Sequence, residues 1–319
     1  GPGIGGLILS NFSWSYIFWI NVPVGLVTIL IGEKFLPKDI TKTKEKIDFS
    51  GFACIAIAIM TFFGGIFLGQ ESGFGSLQSY LLFIIAVIAL GLFIMVERKR
   101  KSPLIKFAIF KNKIFTLSLL SAVLIFASNF FVNVVIPFYL QDARKLSASY
   151  AGLLMMVFPL LMVVGAPLSG YLTDKIGPGI LTFGGLLLLC CTSLMYMFLD
   201  MNSPIWYYVI ATAIMGLGNA LFQSPNNTMV MSSVEKQDLG VAGSMNSFAR
   251  NLGMVIGIAL STTILYRGMS EAYGERVTTY LANRPDIFIV GMRETFFVAF
   301  LLCVAAFILT ILRFRKTTK

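Results

Sequence analysis

Long, uninterrupted apolar segments constrain this chain more than any other feature of its sequence. Residues 79–96 and 178–199 carry no charged side chain, and about 20 apolar residues are enough for a helix to cross the hydrocarbon core of a bilayer. The segments do not alternate apolar with polar residues, so they are typical of helices and not of the strands of a membrane barrel. Charged residues make up 13% of the chain, against about 25% in soluble domains. The sequence therefore predicts an all-α protein that crosses the membrane many times.

The apolar segments divide the chain into an opening fragment and nine predicted spans. The spans cover residues 15–36, 50–69, 79–96, 114–139, 149–169, 178–199, 205–226, 241–266 and 292–312. All four cysteines lie inside apolar segments, so we expect free thiols rather than a disulfide framework. The chain has no histidine, which removes the commonest metal ligand and catalytic base. We therefore expect no metal, no cofactor and no enzyme activity.

Basic residues are concentrated on alternate connections between the predicted spans. Eighteen of the 25 lysines and arginines lie on one set of connections and the C-terminal tail, and five lie on the other set. Because basic loops stay in the cytoplasm, the C-terminus and residues 97–113 are predicted to be cytoplasmic. The net charge of +10 is then a signal for membrane orientation and not a nucleic-acid site. It also favours contact with anionic lipid headgroups.

The first 25 residues carry a pattern of glycine and proline. Residues 1–6 read Gly-Pro-Gly-Ile-Gly-Gly, and residues 14–25 contain Ile-Asn-Val-Pro-Val-Gly after an aromatic stretch. The first pattern resembles the antiporter motif at the end of the fifth span of drug:proton antiporters in the major facilitator superfamily. The second is similar to the entry to the sixth span in the fourteen-span, multidrug-efflux branch. The resemblance assigns Gly1, Pro2, Gly5 and Gly6 to the antiporter motif, and it implies that four spans precede this chain.

The same resemblance divides the chain into three blocks. Residues 1–36 match the end of an N-terminal half, residues 37–113 match the extra central pair of spans, and residues 114–319 match a complete six-helix C-terminal half. Major facilitator proteins consist of two six-helix halves, each made of inverted three-helix repeats. The predicted fold is therefore a partial major facilitator fold.

A second motif lies between the second and third spans of the C-terminal half. Residues 170–177 read Gly-Tyr-Leu-Thr-Asp-Lys-Ile-Gly and resemble the superfamily motif G-x-L-x-D-[RK]-x-G. The resemblance gives Gly170, Asp174 and Gly177 a gating role at a short cytoplasmic turn. A capped turn without further function remains an alternative, because Pro178 and Gly179 replace the motif's later basic residue.

Arg250 is a basic residue inside a predicted span, and such residues are costly in a membrane and often functional. Asn246, Arg250, Gly253 and Gly257 follow at spacings of four, three and four residues, which places them on one helix face. The two glycines permit close approach of another helix. Arg250 is therefore expected to face protein or a water-filled cavity, either as a tie to backbone carbonyls or as a gating or coupling charge.

Two stripes of amide side chains are also expected to face the interior of the helix bundle, since amides in hydrocarbon need hydrogen-bond partners. One stripe lies in span 114–139 and the other in span 205–226, with phenylalanines nearby. The stripes either connect helices or line a substrate cavity. The cavity candidates are Asn129, Asn133, Asn219, Gln223, Phe126 and Phe130.

The resemblance implies a secondary transporter that exports amphipathic drugs in exchange for protons by alternating access. It implies a bacterial plasma (inner) membrane location and, in a Gram-negative host, a periplasmic adaptor as partner. All fifteen Asp and Glu residues lie in predicted loops or at span ends, so the proton-carrying carboxylate is expected in spans preceding this chain. The alternative is an inactive truncated or structural membrane protein.

The predicted orientation can be tested by labelling cysteines from outside the cell. In a background without the four native cysteines, an impermeant maleimide should modify Tyr273→Cys and leave Lys101→Cys unmodified. The lopsided distribution of basic residues between the two sets of connections is the physical reason. Labelling of Lys101→Cys alone would reverse the orientation.

Overall fold

A computed structural model describes Ile8 and residues 13–35, 48–72, 76–100, 107–281 and 284–314. Every regular element in these ranges is helical, which confirms the predicted all-α membrane fold. The opening motif with Gly1, Pro2, Gly5 and Gly6 lies outside the described residues. The helices are α1 (Tyr16–Trp19), α2 (Asn21–Phe35), α3 (Phe49–Ser72), α4 (Leu77–Lys99), α5 (Lys113–Pro137), α6 (Ala148–Met155), α7 (Val157–Ile176), α8 (Pro178–Met197), α9 (Ile205–Ser232), α10 (Leu239–Tyr273) and α11 (Pro285–Phe314).

Within the described ranges, eight segments are long and apolar enough to cross a membrane, one fewer than predicted. The difference lies at residues 15–36, which form the short α1 and the 15-residue α2. At 1.5 Å per residue α2 is about 22 Å long, less than the roughly 30 Å of a hydrocarbon core. The predicted span at residues 15–36 is therefore not confirmed within the described residues.

The chain forms two compact units, which we describe separately. One contains residues 39–112 and 236–241, and the other contains residues 1–38, 113–235 and 242–319. The predicted blocks 1–36, 37–113 and 114–319 remain a prediction.

In the unit containing residues 39–112, α3 and α4 pack along each other. The Ser79 hydroxyl donates a 2.7 Å hydrogen bond to the carbonyl of Gly65, so the hydroxyl is satisfied between the two helices. Asp48 immediately precedes α3, and its Oδ1 accepts from the Gly51 amide at 2.9 Å and from the Ser50 hydroxyl at 2.6 Å. Arg100, just after α4, forms an ion pair with Asp48 at 3.4 Å. Asp48 therefore caps α3 and connects it to the end of α4.

The larger unit is a bundle in which α9 packs against α8, α7 and α5, and α11 packs against α5 and α8. Its core contains large, fully buried side chains such as Phe131, Tyr196 and Phe296. Glycines bring the backbones together: a Cβ added to Gly185 of α8 would lie 2.7 Å from the Gly218 carbonyl oxygen of α9. Small residues at such crossings are typical of membrane helix pairs.

The segment predicted as a cytoplasmic turn at residues 170–177 is mostly helical. Helix α7 continues to Ile176, and only Gly177 separates it from α8. Gly177 has φ of +84°, a conformation that favours glycine because other residues lack room for Cβ there. Pro178 then occupies the first position of α8, where its missing N–H costs nothing.

The Asp48 cap predicts a pH-dependent stability. Hydrogen bonds from the Gly51 amide and the Ser50 hydroxyl, with the nearby Arg100 charge, lower the pKa of Asp48 from its usual value. A lowered folded-state pKa means that the charged form stabilises the fold above the unfolded pKa of about 3.9, and that this contribution disappears as the pH falls through the folded pKa. Asp48→Ala should therefore lower the melting temperature at pH 7, and the difference from wild type should shrink below about pH 4.

Asp48→Asn is the matched control, because asparagine also caps helices but cannot titrate. Its melting temperature should lie between those of wild type and Asp48→Ala at pH 7. A wild-type melting temperature for Asp48→Ala across the whole pH range would contradict the proposed role of the cap.

Candidate functional site

Asn129 of α5 and Asn219 of α9 are paired in the interior of the larger unit. Asn129 Nδ2 donates to Asn219 Oδ1 at 2.6 Å, and Asn219 Nδ2 donates to Asn129 Oδ1 at 3.1 Å. Asn219 Nδ2 also lies 3.0 Å from the Met215 carbonyl. Both asparagines are buried. The pair satisfies two amides that would otherwise be costly in an apolar environment.

The other two amides of the predicted cavity set are less enclosed. Asn133 lies one turn beyond Asn129, donates to the Asn129 carbonyl at 3.2 Å, and is exposed. Gln223 is half-buried on α9. The geometry thus separates the predicted stripes into a closed pair, Asn129 with Asn219, and two accessible amides that retain hydrogen-bonding capacity.

Asn226 and Asn227, adjacent residues of α9, bond to different neighbours. Asn226 Nδ2 donates to the Ser118 carbonyl of α5 at 3.2 Å. Asn227 Oδ1 accepts from Asn246 of α10 at 2.9 Å. Adjacent asparagines therefore connect α9 to two different helices.

The predicted span 292–312 leaves Arg313 in the basic C-terminal tail, and the structure corrects this. It lies inside α11 and is only 3% exposed. Its Nη1 donates to Ser118 Oγ at 2.8 Å and to Asn226 Oδ1 at 3.1 Å. A sequence signal for this existed: the buried residues Cys303, Ala306, Thr310 and Arg313 follow at spacings of three, four and three, the period of one helix face.

Arg250 lies half-buried on α10, with its Cζ 5.4 Å from the centre of the Phe126 ring. In the part of the chain that the structure describes, its Nε is buried and has no hydrogen-bond partner. The predicted tie to a backbone carbonyl is thus replaced by an aromatic contact. Cations gain more from an aromatic face when water is excluded.

Close packing of α10 on α5 explains this position of Arg250. A Cβ on Gly253 would lie 2.5 Å from the Val123 carbonyl oxygen and 2.9 Å from Phe126 Cβ. A Cβ on Gly257 would collide with the Ala127 carbonyl and come within 2.9 Å of Phe130 Cβ. Phe126 and Phe130, both half-buried, therefore contribute to the α5–α10 contact.

The gating candidates of the second motif lie at the end of α7. Gly170 faces α9, since a Cβ there would lie 3.7 Å from Ser224 Oγ. Asp174 is exposed in the last turn of α7, and it has no hydrogen bond or ion pair with any residue that the structure describes. The carboxylate does not cap α8, whose first turn has no side-chain cap.

The whole length of the chain matches a family model. Residues 1–258 and 119–319 match the Major Facilitator Superfamily. The chain belongs to the major facilitator superfamily. The superfamily consists of transporters built from packed membrane helices, which agrees with the eight apolar helices of the described residues.

Three curated relatives illustrate the similarity. The riboflavin transporter RibZ of Clostridioides difficile is 30% identical over all of this chain and 68% of its own length. The multidrug transporter MdtP of Bacillus subtilis is 28% identical over 89% of the chain and 53% of its own length. The lincomycin resistance protein LmrB of Listeria monocytogenes is 27% identical over 92% of the chain and 64% of its own length. The chain spans about half to two thirds of the length of these relatives.

The asparagine pair generates a stability prediction. Asn129→Leu leaves the Asn219 amide without its main partner, so it should lower the unfolding free energy by about 1 kcal/mol, the scale of hydrogen bonds between membrane helices. Asn129→Leu combined with Asn219→Leu should cost less than the sum of the two single changes, because no amide is left unpaired. Reversible unfolding in mixed micelles measures these values.

Asn133→Leu is the matched control, since this exposed amide donates only to its own helix. It should leave the unfolding free energy nearly unchanged. Additive costs of the two changes in the pair would show that the asparagines do not stabilise the fold through each other.

Proposed function

We propose that this chain carries the C-terminal part of a secondary transporter that exports amphipathic compounds in exchange for protons by alternating access. Membership of the superfamily supports a transporter, and relatives named for multidrug transport and lincomycin resistance support export. The observation that carries the proposal is the contact between the Arg250 guanidinium and the Phe126 ring. Asn133, an exposed amide two turns beyond Phe126 on α5, completes the surface that we propose: a cation, an aromatic face and an accessible amide in a membrane-spanning bundle.

Such a surface suits amphipathic substrates. Phenylalanine side chains offer apolar contact without directional demands, whereas Asn133 and Gln223 can donate or accept hydrogen bonds. The closed Asn129–Asn219 pair would keep α5 and α9 together while substrates bind beside it. Sites that combine apolar walls with few polar groups are typical of small-molecule binding.

Arg250 is our candidate for gating or coupling. A charged side chain within a membrane is retained where it faces the protein interior or water and takes part in function. Its buried Nε, without a partner among the described residues, leaves it able to donate a hydrogen bond to a carboxylate or to a polar substrate group that accepts one. We propose that alternating access changes this contact.

We also propose that the protein lies in the bacterial plasma (inner) membrane with a cytoplasmic C-terminus. The concentration of basic residues on alternate connections supports this orientation. In a Gram-negative host, a periplasmic adaptor would be a partner. Amphipathic substrates, protons and the lipid bilayer are the partners proposed in any host.

Efflux measurements on Arg250 variants test the proposal. The measurement uses cells that express the reading frame encoding this chain and lack other exporters. These cells should export a dye substrate, and a protonophore should stop that efflux. Arg250→Ala should lower the efflux rate about tenfold or more, since a lost interaction with a charged group costs roughly 1.5–3 kcal/mol. Arg250→Lys should retain part of the rate because it retains the charge.

Arg284→Ala is the matched control, because Arg284 forms an exposed ion pair with Asp286 outside this surface. It should export at the wild-type rate at equal membrane levels. Wild-type efflux from Arg250→Ala would remove Arg250 from the mechanism. Absence of any protonophore-sensitive efflux would favour the alternative, an inactive or structural membrane protein.

A further inference from the structure

An open groove of about 620 Å³ lies between α10 and α11, next to the end of α8. Two arginines and two glutamates line one part of it, namely Arg267, Glu271, Arg293 and Glu294. Arg267 Nε lies 2.7 Å from Glu271 Oε1, and both side chains are more than half exposed. The groove therefore presents two positive and two negative charges side by side.

Glu294 lies inside a helix, which corrects the expectation that it ends a span. Helix α11 begins at Pro285, so Glu294 is its tenth residue. The Glu294 carboxylate packs against α10, because a Cβ on Gly268 would lie 2.6 Å from its Oε2. Arg293 also interacts electrostatically with Asp200, which lies in the connection after α8.

The four charged residues lie where the apolar part of each helix stops. Residues 251–266 of α10 and 295–312 of α11 contain no charged side chain. Because these helices run in opposite directions, Arg267 and Arg293 lie at the same boundary of the apolar layer. This is the depth of lipid headgroups at the edge of a hydrocarbon core about 30 Å thick.

The rest of the groove continues from the charged residues into the apolar layer. It is lined there by Ile264, Phe297 and Val298. Ile264 lies one helical turn from Arg267, and Phe297 lies one turn from Arg293, in each case toward the apolar segment. The groove is thus polar at the membrane surface and apolar below it.

We propose that this groove binds one zwitterionic phospholipid with a primary ammonium headgroup. Its phosphate contacts the two arginines, its ammonium contacts the two glutamates, and an acyl chain follows the apolar part of the groove. Arginine suits phosphate because its fork of N–H donors matches the phosphate oxygens. A primary ammonium offers three N–H donors to carboxylates, and a trimethylated one offers none.

Net neutrality of the four charges favours this lipid over an anionic one. A phosphate alone would be attracted by the arginines and repelled by the glutamates, so the cluster gains most from a headgroup that carries both signs. The site is separate from the proposed export surface, and its test does not depend on transport. With the proposed orientation, the lipid belongs to the outer leaflet.

Lipid titration of the purified full chain in detergent tests the site. The probes are phosphatidylethanolamine, phosphatidylcholine and phosphatidylglycerol with identical acyl chains, measured by native mass spectrometry and by the shift in melting temperature. Phosphatidylethanolamine should bind about tenfold more tightly than phosphatidylcholine, the loss expected when a charged carboxylate loses its hydrogen-bond donor. Equal affinity for these two lipids would overturn the proposal.

Variants assign the binding to the groove. Arg293→Gln with Glu294→Gln should weaken phosphatidylethanolamine binding about tenfold and leave phosphatidylglycerol binding, which the basic loops attract, unchanged. The control is Arg284→Gln with Asp286→Asn, an exposed ion pair near the start of the same helix and outside the groove. Unchanged phosphatidylethanolamine binding in the groove variant, or an equal loss in the control, would overturn the proposal.

Discussion

The two hydrogen bonds between Asn129 and Asn219 fix α5 against α9 in the larger unit. In an environment without water, an amide that loses its partner has no replacement. The pair therefore allows few relative positions of the two helices. Contacts at the ends of α9 depend on the same alignment, since Asn226 reaches both Ser118 of α5 and Arg313 of α11.

Small residues set the remaining helix distances. Gly253 and Gly257 bring α10 against α5, and this contact places Arg250 over Phe126. A larger residue at either glycine would move α10 outward and expose the guanidinium to lipid or water. The position of the proposed coupling charge is therefore a consequence of backbone packing as much as of its own chemistry.

The class of the protein and the approximate positions of its helices could be predicted, because the length of an apolar segment is a strong signal for a membrane-spanning helix. Which face of each helix is buried could not be predicted in general, since lipid-facing and core-facing residues are equally apolar. Polar and small residues were the exception. The spacing of Asn246, Arg250, Gly253 and Gly257 predicted one face in contact with another helix, and the structure has that face against α5 and α9.

The ends of the helices were harder to predict, and charged residues near those ends were assigned to the wrong environment. Hydropathy marks where the apolar layer stops, whereas the helices continue beyond it: α7 reaches Ile176 and α11 begins at Pro285. Arg313 and Glu294 were consequently assigned to a tail and a span end. Both lie inside α11, one buried in the bundle and one in the groove against α10.

Substrate protection at Asn133 tests the central claim, that the proposed surface of Arg250, Phe126 and Asn133 lines the path of an exported compound. A cysteine at Asn133, in a protein that exports a dye and has no native cysteines, should react with a water-soluble maleimide. The exported dye should slow that reaction. Leu120 is exposed on the opposite side of α5. Leu120→Cys should react only with lipid-soluble reagents, at a rate that the dye does not change. Equal reactivity at the two positions, or labelling of Asn133→Cys that the dye leaves unchanged, would contradict the account.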